Sequence, residues 1–259
     1  MASLITQKQL RAVRDPAFCY LCGKFFEEGD ITNHDHVPPE SVFAKADRQP
    51  LKLKSHKKCN SSFELLDEKI GQLIGLKHGQ TPSNPEHHRL KFIRSPIPSV
   101  GAVTNLNIDE AVWRWIRGFH VALYREPFPL LRRGSLVTPF PRADLKDGTY
   151  VFVSLPPQHE LFVETIKSNR ARNNLDVIRC NNNKLVYEAI WVRADNGQWF
   201  CIFALDVYAW KDLGRTHLPN TGCAGCYFLP EGARPASSTI EIRSKVLIPN
   251  INRLDPFSL

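Results

Sequence analysis

Apolar positions change their spacing along this 259-residue chain. In "NIDEAVWRWIRGFHVALYR", Val112, Trp115, Ile116, Phe119, Ala122 and Leu123 recur at three- and four-residue steps. That period predicts a helix with one apolar stripe. Asn107 or Asp109 suits its N-cap, and Pro127 and Pro129 stop it. Farther on, "TYVFVSL", "KLVYEAIWVRA", "QWFCIFALDVY" and "STIEIRSKVLI" are β-branched and aromatic runs between turn formers, which predicts strands. Asn196-Gly197 in "ADNG" marks a hairpin between the middle two. A helix followed by antiparallel strands predicts an α+β layer. The aromatic side chains of those strands are most simply core, with stacking on nucleobases as the competing reading.

The first third of the chain lacks such regularity, and this divides the molecule. Residues 1–17 read as a short polar helix or arm. Residues 18–80 read as a compact unit rich in Cys, His, Asp and Asn, in which "NSSFELLDEKIGQLIGL" predicts a helix. Residues 81–104, Pro- and Ser-rich with scattered cations, read as a linker. Residues 105–259 read as the α+β domain with its antiparallel sheet.

Composition narrows the class. Hydrophobic content of 42% and charged content of 23% belong to a globular chain rather than a disordered one. No apolar run approaches the roughly 20 residues that cross a bilayer, and the start "MASLITQKQLRAVRDP" lacks a signal-peptide core. We therefore expect a cytoplasmic protein that engages no membrane. In the reducing cytosol its seven cysteines are thiols or metal ligands rather than a disulfide framework. A net charge of +8 favours polyanionic partners, nucleic acid first among them, because Lys and Arg displace counterions from phosphates.

The cysteines carry the first chemistry. "CYLC" supplies Cys19 and Cys22, and "HKKC" supplies His56 and Cys59. A two-residue gap lets both members of a pair reach one ion, and two such pairs complete the closed tetrahedral set of a structural Zn²⁺. Gly23 directly follows the first pair and permits the left-handed turn a knuckle needs. Buried free thiols with an incidental histidine are the bland alternative. "TGCAGCY" offers a second CxxC in Cys223 and Cys226 for a second ion, with His217 upstream; no partner pair is evident, though Cys180 and Cys201 are available.

Between the zinc pairs lies "NHDHVPPESVF". Along a strand the side chains alternate, so Asp35 and His36 point to different sides and can take different tasks. Asp35 is a hard oxygen donor suited to Mg²⁺ or Mn²⁺, and His36 can take a proton from water near neutral pH. Asn60 stands at the start of the expected helix, where its amide oxygen can complete an ion site or cap the helix. Glu64, one turn on, can reach the same ion or merely gain from the helix dipole. His34 shares a face with His36 and can meet a phosphate or simply be solvated. Asp67 and Glu68 read as surface charges.

The run "CYLCGK … HDHVPPESVF … LKSHKKCNSSFELLDE" resembles the HNH (ββα-metal) endonuclease family, in its zinc-knuckle subgroup, over about residues 18–70. More loosely, "VWRWIRGFHVALYREPFP" and "QWFCIFALDVY" are similar to the trailing segments of small bacterial HNH proteins. The resemblance implies an N-terminal ββα-metal unit stapled by zinc. In it His36 is the general base, Asp35 and Asn60 hold Mg²⁺ or Mn²⁺, and phosphodiester bonds, double-stranded DNA foremost, are hydrolysed. Restriction or anti-phage defence is the setting this family habit implies. Two departures stand out. Leu51 occupies the place where the family has an Asn that orients the base, so Asp47, Gln49 or a main-chain carbonyl must do so. Asn60 replaces the closing histidine, which favours a hard ion.

Basic clusters at 52–58, 87–94, Arg132-Arg133 and 167–174 can each follow phosphates. Lys52, Lys54, Lys57 and Lys58 adjoin the expected site and, with His34, are the residues expected to bind nucleic acid. The rival reading is a zinc-stapled nucleic-acid-binding or adaptor subunit that does not cut. A protein partner or a homo-oligomer through the C-terminal domain is compatible with either.

Overall fold

A computed structural model describes residues 2–77, 89–94, 101–103, 105–129, 133–137, 143–146, 149–152, 158–193, 197–207, 221–229, 232–233 and 235. Along the chain the elements are β1 (Ser3–Leu4), α1 (Gln7–Ala12), β2 (Thr32–Val37), β3 (Leu51–His56), α2 (Lys57–Ser61) and α3 (Glu64–Lys77). There follow β4 (Phe92–Arg94), β5 (Gly101–Val103), α4 (Ile108–Tyr124), β6 (Arg133–Val137), β7 (Ala143–Lys146) and β8 (Thr149–Phe152). The last are α5 (Gln158–Ala171), β9 (Asp176–Cys180), β10 (Leu185–Arg193), β11 (Trp199–Val207) and β12 (Thr221–Phe228). The architecture is α+β. Among the described residues no helix is long and apolar enough to cross a membrane.

Two compact units divide the chain differently from the sequence reading. One comprises Gln7–Ala122 and Phe140–Ser154, the other Met1–Thr6, Leu123–Pro139 and Leu155–Leu259. Most of α4, expected to open the second domain, therefore belongs with the Cys- and His-rich segment. Within the expected linker, Phe92–Arg94 and Gly101–Val103 pair as the antiparallel β4–β5 ladder. The adjoining Arg89–Lys91 segment is tied to Asn105 by hydrogen bonds of 2.9 Å in both directions.

In the first unit, β2 and β3 form an antiparallel hairpin whose register pairs His34 with Lys54 and His36 with Lys52. Asp35, Val37, Leu51, Leu53 and Ser55 are buried, while the residues between them are not. The pleat thus has an inner and an outer face, as alternation requires. The long helix expected after Cys59 is broken at Ser62 and Phe63 into α2 and α3. Asn107 is the cap of α4, accepting the Glu110 N–H at 3.2 Å, and Arg125 ends the helix with φ of 60°. The apolar stripe expected for α4 understates its burial. Every residue from Ala111 to Tyr124 except Arg117 is buried.

The second unit is built on a six-stranded sheet in the order β1-β9-β10-β11-β12-β6. It is antiparallel except that β1 lies parallel to β9, so the sheet is mixed rather than purely antiparallel. β10 and β11 are the strands the pattern predicts, and they pair from Leu185↔Val207 to Arg193↔Trp199. On one face α5 packs Phe162 and Ile166 against Ile190, Val192, Phe200, Ile202 and Cys226. On the other, Trp191 stands edge-on to Tyr124 and Tyr227, whose ring also meets Phe128. Tyr187, Trp191 and Tyr227 are fully buried, which makes these three rings core rather than a base-stacking surface. The expected strand "STIEIRSKVLI" lies outside the described residues.

Candidate metal centre and acid–base site

The first centre is a turn and a hairpin end brought together. Phe18 bridges Phe25, and Gly23 donates its N–H to the Cys19 carbonyl at 2.8 Å with φ of 75°, which is the left-handed turn the sequence predicts. This knuckle faces the junction of β3 and α2, where His56 and Cys59 lie. The ligand atoms of Cys19, Cys22, His56 and Cys59 all fall within 4.8 Å of one another. His56 Nδ1 lies 3.5 Å from Cys22 Sγ and 4.0 Å from Cys59 Sγ. Ligands about 2.3 Å from one tetrahedral ion are separated by about 3.8 Å, so the set can hold a metal such as zinc.

Burial pushes the Cys19 thiol up, and burial with the neighbouring sulfurs pushes Cys59 up to about 12. Cys22 moves down, because the Lys24 N–H and His56 outweigh its own burial. Thiols raised in this way stay protonated, and ionising three sulfurs in one place requires a cation. Sequence reasoning missed the residue behind His56. Asp30 Oδ2 lies 3.1 Å from His56 Nε2 and takes the Glu27 N–H at 2.7 Å. Burial would lower the imidazole, but Cys22 and Asp30 outweigh it and raise it. A carboxylate on Nε2 fixes the tautomer that presents Nδ1 to an ion.

The acid–base residues separate onto the two faces of the hairpin. His36, on the outer face, is the partly exposed cross-strand neighbour of Lys52. Burial holds its imidazole below the ordinary value; Lys52 and Arg48 act the same way, and Glu40 and Asp35 oppose them. Glu40 Oε1 stands 2.9 Å from His36 Nε2. Glu40, four residues on across Pro38-Pro39, is thus a charged neighbour of that nitrogen but makes no hydrogen bond to it, and does not fill the orienting role expected of Asp47, Gln49 or a carbonyl. Gln49 lies against Gln7 instead. His34 Nε2 is 2.6 Å from Asp15 Oδ1, which draws that carboxyl down. Lys54 Nζ sits 4.7 Å above the Phe26 ring, and Lys57 and Lys58 are exposed at the start of α2.

Asp35, on the inner face, is only 5% exposed. Its Oδ2 accepts from the Tyr20 hydroxyl and lies 2.5 Å from Arg114 Nη2. The same nitrogen donates to Asn60 Oδ1 at 3.0 Å. Arg114 Nη1 pairs with Asp67, and the guanidinium carbon lies 4.6 Å from the Phe63 ring centre. Burial disfavours the charge on Arg114, but Tyr20, Asp35 and Asp67 outweigh it and hold it protonated above its ordinary range. The structure thus brings Asp35 and Asn60 together, as the sequence predicts, but around an arginine. Both oxygens are engaged by one cationic nitrogen and so do not fit a divalent ion in this arrangement. Glu64 is exposed in the first turn of α3.

Two expectations need correction. Asp67 is no surface charge: its side chain is 15% exposed and faces Arg114, whereas Glu68 does pair at the surface with Arg89 at 3.3 Å. Among the described residues Cys223 and Cys226 do not form a second knuckle, and His217 lies outside those residues. The two cysteines lie on strand β12, in continuous register with β11 opposite Leu205 and Ile202, and both are buried. Three residues apart on a strand, they point to opposite faces. Among the described residues the Cys19 group is the one Cys/His cluster able to hold a metal. Comparisons with protein-family models, with curated proteins and with solved structures return no match for this chain.

Proposed function

We propose that the chain is a nucleic-acid phosphodiesterase of the HNH kind, with double-stranded DNA as its substrate. The observation that supports it is the outer face of the β2–β3 hairpin, where His36 neighbours Lys52 and His34 neighbours Lys54. An imidazole held in its neutral form beside fixed cations suits attack on a phosphodiester. His36 takes the proton of the attacking water, with the Glu40 carboxylate 2.9 Å from its Nε2 to offset the charge it gains. Lys52 and Lys54 offset the charge gathering on the phosphate oxygens, and the leaving sugar oxygen takes its proton from solvent. Zinc at Cys19, Cys22, His56 and Cys59 is structural in this reading and holds the hairpin against α2. Mg²⁺ or Mn²⁺ on Asp35 and Asn60 is the ion the resemblance implies. Those oxygens are committed to Arg114, and the chemistry here rests on His36 and the lysines.

A specific observation favours a second reading, a zinc-stapled nucleic-acid-binding or adaptor subunit that does not cut. It is the same engagement of Asp35 and Asn60 by Arg114. Nicking of supercoiled plasmid, with Mg²⁺, Mn²⁺ or EDTA, separates the two. The nuclease reading expects wild type to nick and His36→Ala to fold but lose roughly 10²–10⁴-fold in rate. Plasmid binding without nicking under every condition leaves the adaptor reading.

A further inference from the structure

We propose that Arg114 is the resident cation of the Asp35–Asn60 pair, and that a divalent ion reaches those two oxygens only by displacing its guanidinium. The inference concerns the cation seat alone, and it does not depend on whether the chain cuts nucleic acid.

The geometry carries it. One nitrogen, Nη2, serves both oxygens, 2.5 Å from Asp35 Oδ2 and 3.0 Å from Asn60 Oδ1. The Tyr20 hydroxyl donates to the same Asp35 oxygen. A hard ion needs bare oxygens at about 2.1 Å with their lone pairs turned toward it. Asp35 Oδ2 already accepts an N–H and an O–H, Asn60 Oδ1 accepts an N–H from the same nitrogen, and a positive charge already lies beside both oxygens. The guanidinium is also anchored from behind. Nη1 is held by Asp67, its face lies on Phe63, and its side chain is 2% exposed.

Charge explains why the arginine and an ion exclude each other. Asp35 and Asp67 bring two negative charges into this buried space, and Arg114 returns one positive charge. Removing the arginine leaves two carboxylates with no counter-charge, which a dication would neutralise. Adding a dication beside the arginine would place two cations on the same pair of oxygens, the arrangement that low-dielectric surroundings penalise most.

The test is Mn²⁺ binding to the full-length, zinc-loaded chain, read by the loss of free-Mn²⁺ electron paramagnetic resonance signal and by thermal midpoint. Wild type is expected to show no Asp35-dependent Mn²⁺ binding in the submillimolar range and no Mn²⁺-induced shift. Arg114→Met is expected to gain a site at least about tenfold tighter, with a raised midpoint in Mn²⁺, and adding Asp35→Asn to it should abolish both. Wild-type binding that Asp35→Asn removes would overturn the proposal, as would a folded Arg114→Met that takes up no Mn²⁺. Should Arg114→Met not fold, Arg114→Gln decides, since its neutral amide keeps a polar side chain but gives up the charge. It must bind Mn²⁺ more tightly than wild type, and equal binding overturns the assignment.

Discussion

Gly118 of α4 rests directly against Val37 at the end of β2. A Cβ added there would stand 2.6 Å from Val37 Cγ1 and 3.0 Å from Cγ2. Glycine in a helix interior ordinarily costs about 1 kcal/mol relative to alanine, so Gly→Ala should stabilise an unconstrained helix. Here the helix needs the gap, because Arg114, one turn earlier, reaches Asp35, and Arg117 reaches the Leu21 carbonyl at 3.0 Å. Gly118→Ala is therefore expected to destabilise by roughly 1–3 kcal/mol in urea unfolding, the cost of overpacking a filled site. A stabilised variant would show that α4 is free to move away from β2.

The contact of Asp30 with His56 makes a separate claim about the knuckle. Asp30→Asn keeps the shape but weakens the carboxylate that orients the imidazole. Zinc affinity, measured by competition with a chromogenic chelator, should fall about 10–100-fold while the fold survives at saturating zinc. Cys59→Ser removes a ligand outright and should lower zinc content and solubility together. Unchanged zinc content in Cys59→Ser would remove that residue from the ligand set.

Lys52 and Lys54 project from the outer face beside His36 and His34, where phosphates are expected to lie. If they neutralise phosphates, Lys52→Ala with Lys54→Ala should weaken plasmid binding across sequences alike. The slope of log affinity against log salt should become shallower by about 0.9 for each lost contact. An unaltered slope would place the nucleic acid on another surface.

The parts of this arrangement legible in the sequence are those whose chemistry is local. Cys19, Cys22, His56 and Cys59 announce themselves because each pair is two residues apart, and β10 and β11 because β-branched and aromatic residues run unbroken. Arg114 could not be read that way. It interrupts an apolar helix, where a lone cation reads as a solvated flank. Its partners Asp35, Asn60 and Asp67 lie 79, 54 and 47 residues away. Asp67 reads as a surface charge for the same reason, since a carboxylate early in a helix is most simply exposed. Glu40 is local by contrast, four residues after His36 with two prolines between them, and its carboxylate lies beside the imidazole. Cys223 and Cys226 misled for the opposite reason. Their spacing imitates a knuckle, but Ala224, Tyr227 and Phe228 around them continue a strand, and a strand parts two residues three apart.

Asp67 provides the pH test of the buried charge group. One guanidinium cannot neutralise two buried carboxylates, and the excess falls on Asp67. Burial raises it from 3.8 to about 6, with Arg114 opposing and Asp35 and Glu64 adding to the rise. An acid whose folded value is raised binds its proton more tightly in the native state than in the unfolded one. Its stabilising contribution is therefore complete below about pH 4 and is lost as pH climbs through about 6. Asp67→Asn has no such proton to lose. The stability of wild type minus that of Asp67→Asn should therefore fall between about pH 4 and 6.5, by no more than about 3 kcal/mol. Urea unfolding of both proteins across that range, at saturating zinc, measures the difference while cancelling what other titrating groups contribute. A flat difference would mean that Arg114 neutralises Asp67 completely, and the excess charge would then have to reside on Asp35, the carboxylate that shares its arginine with Asn60.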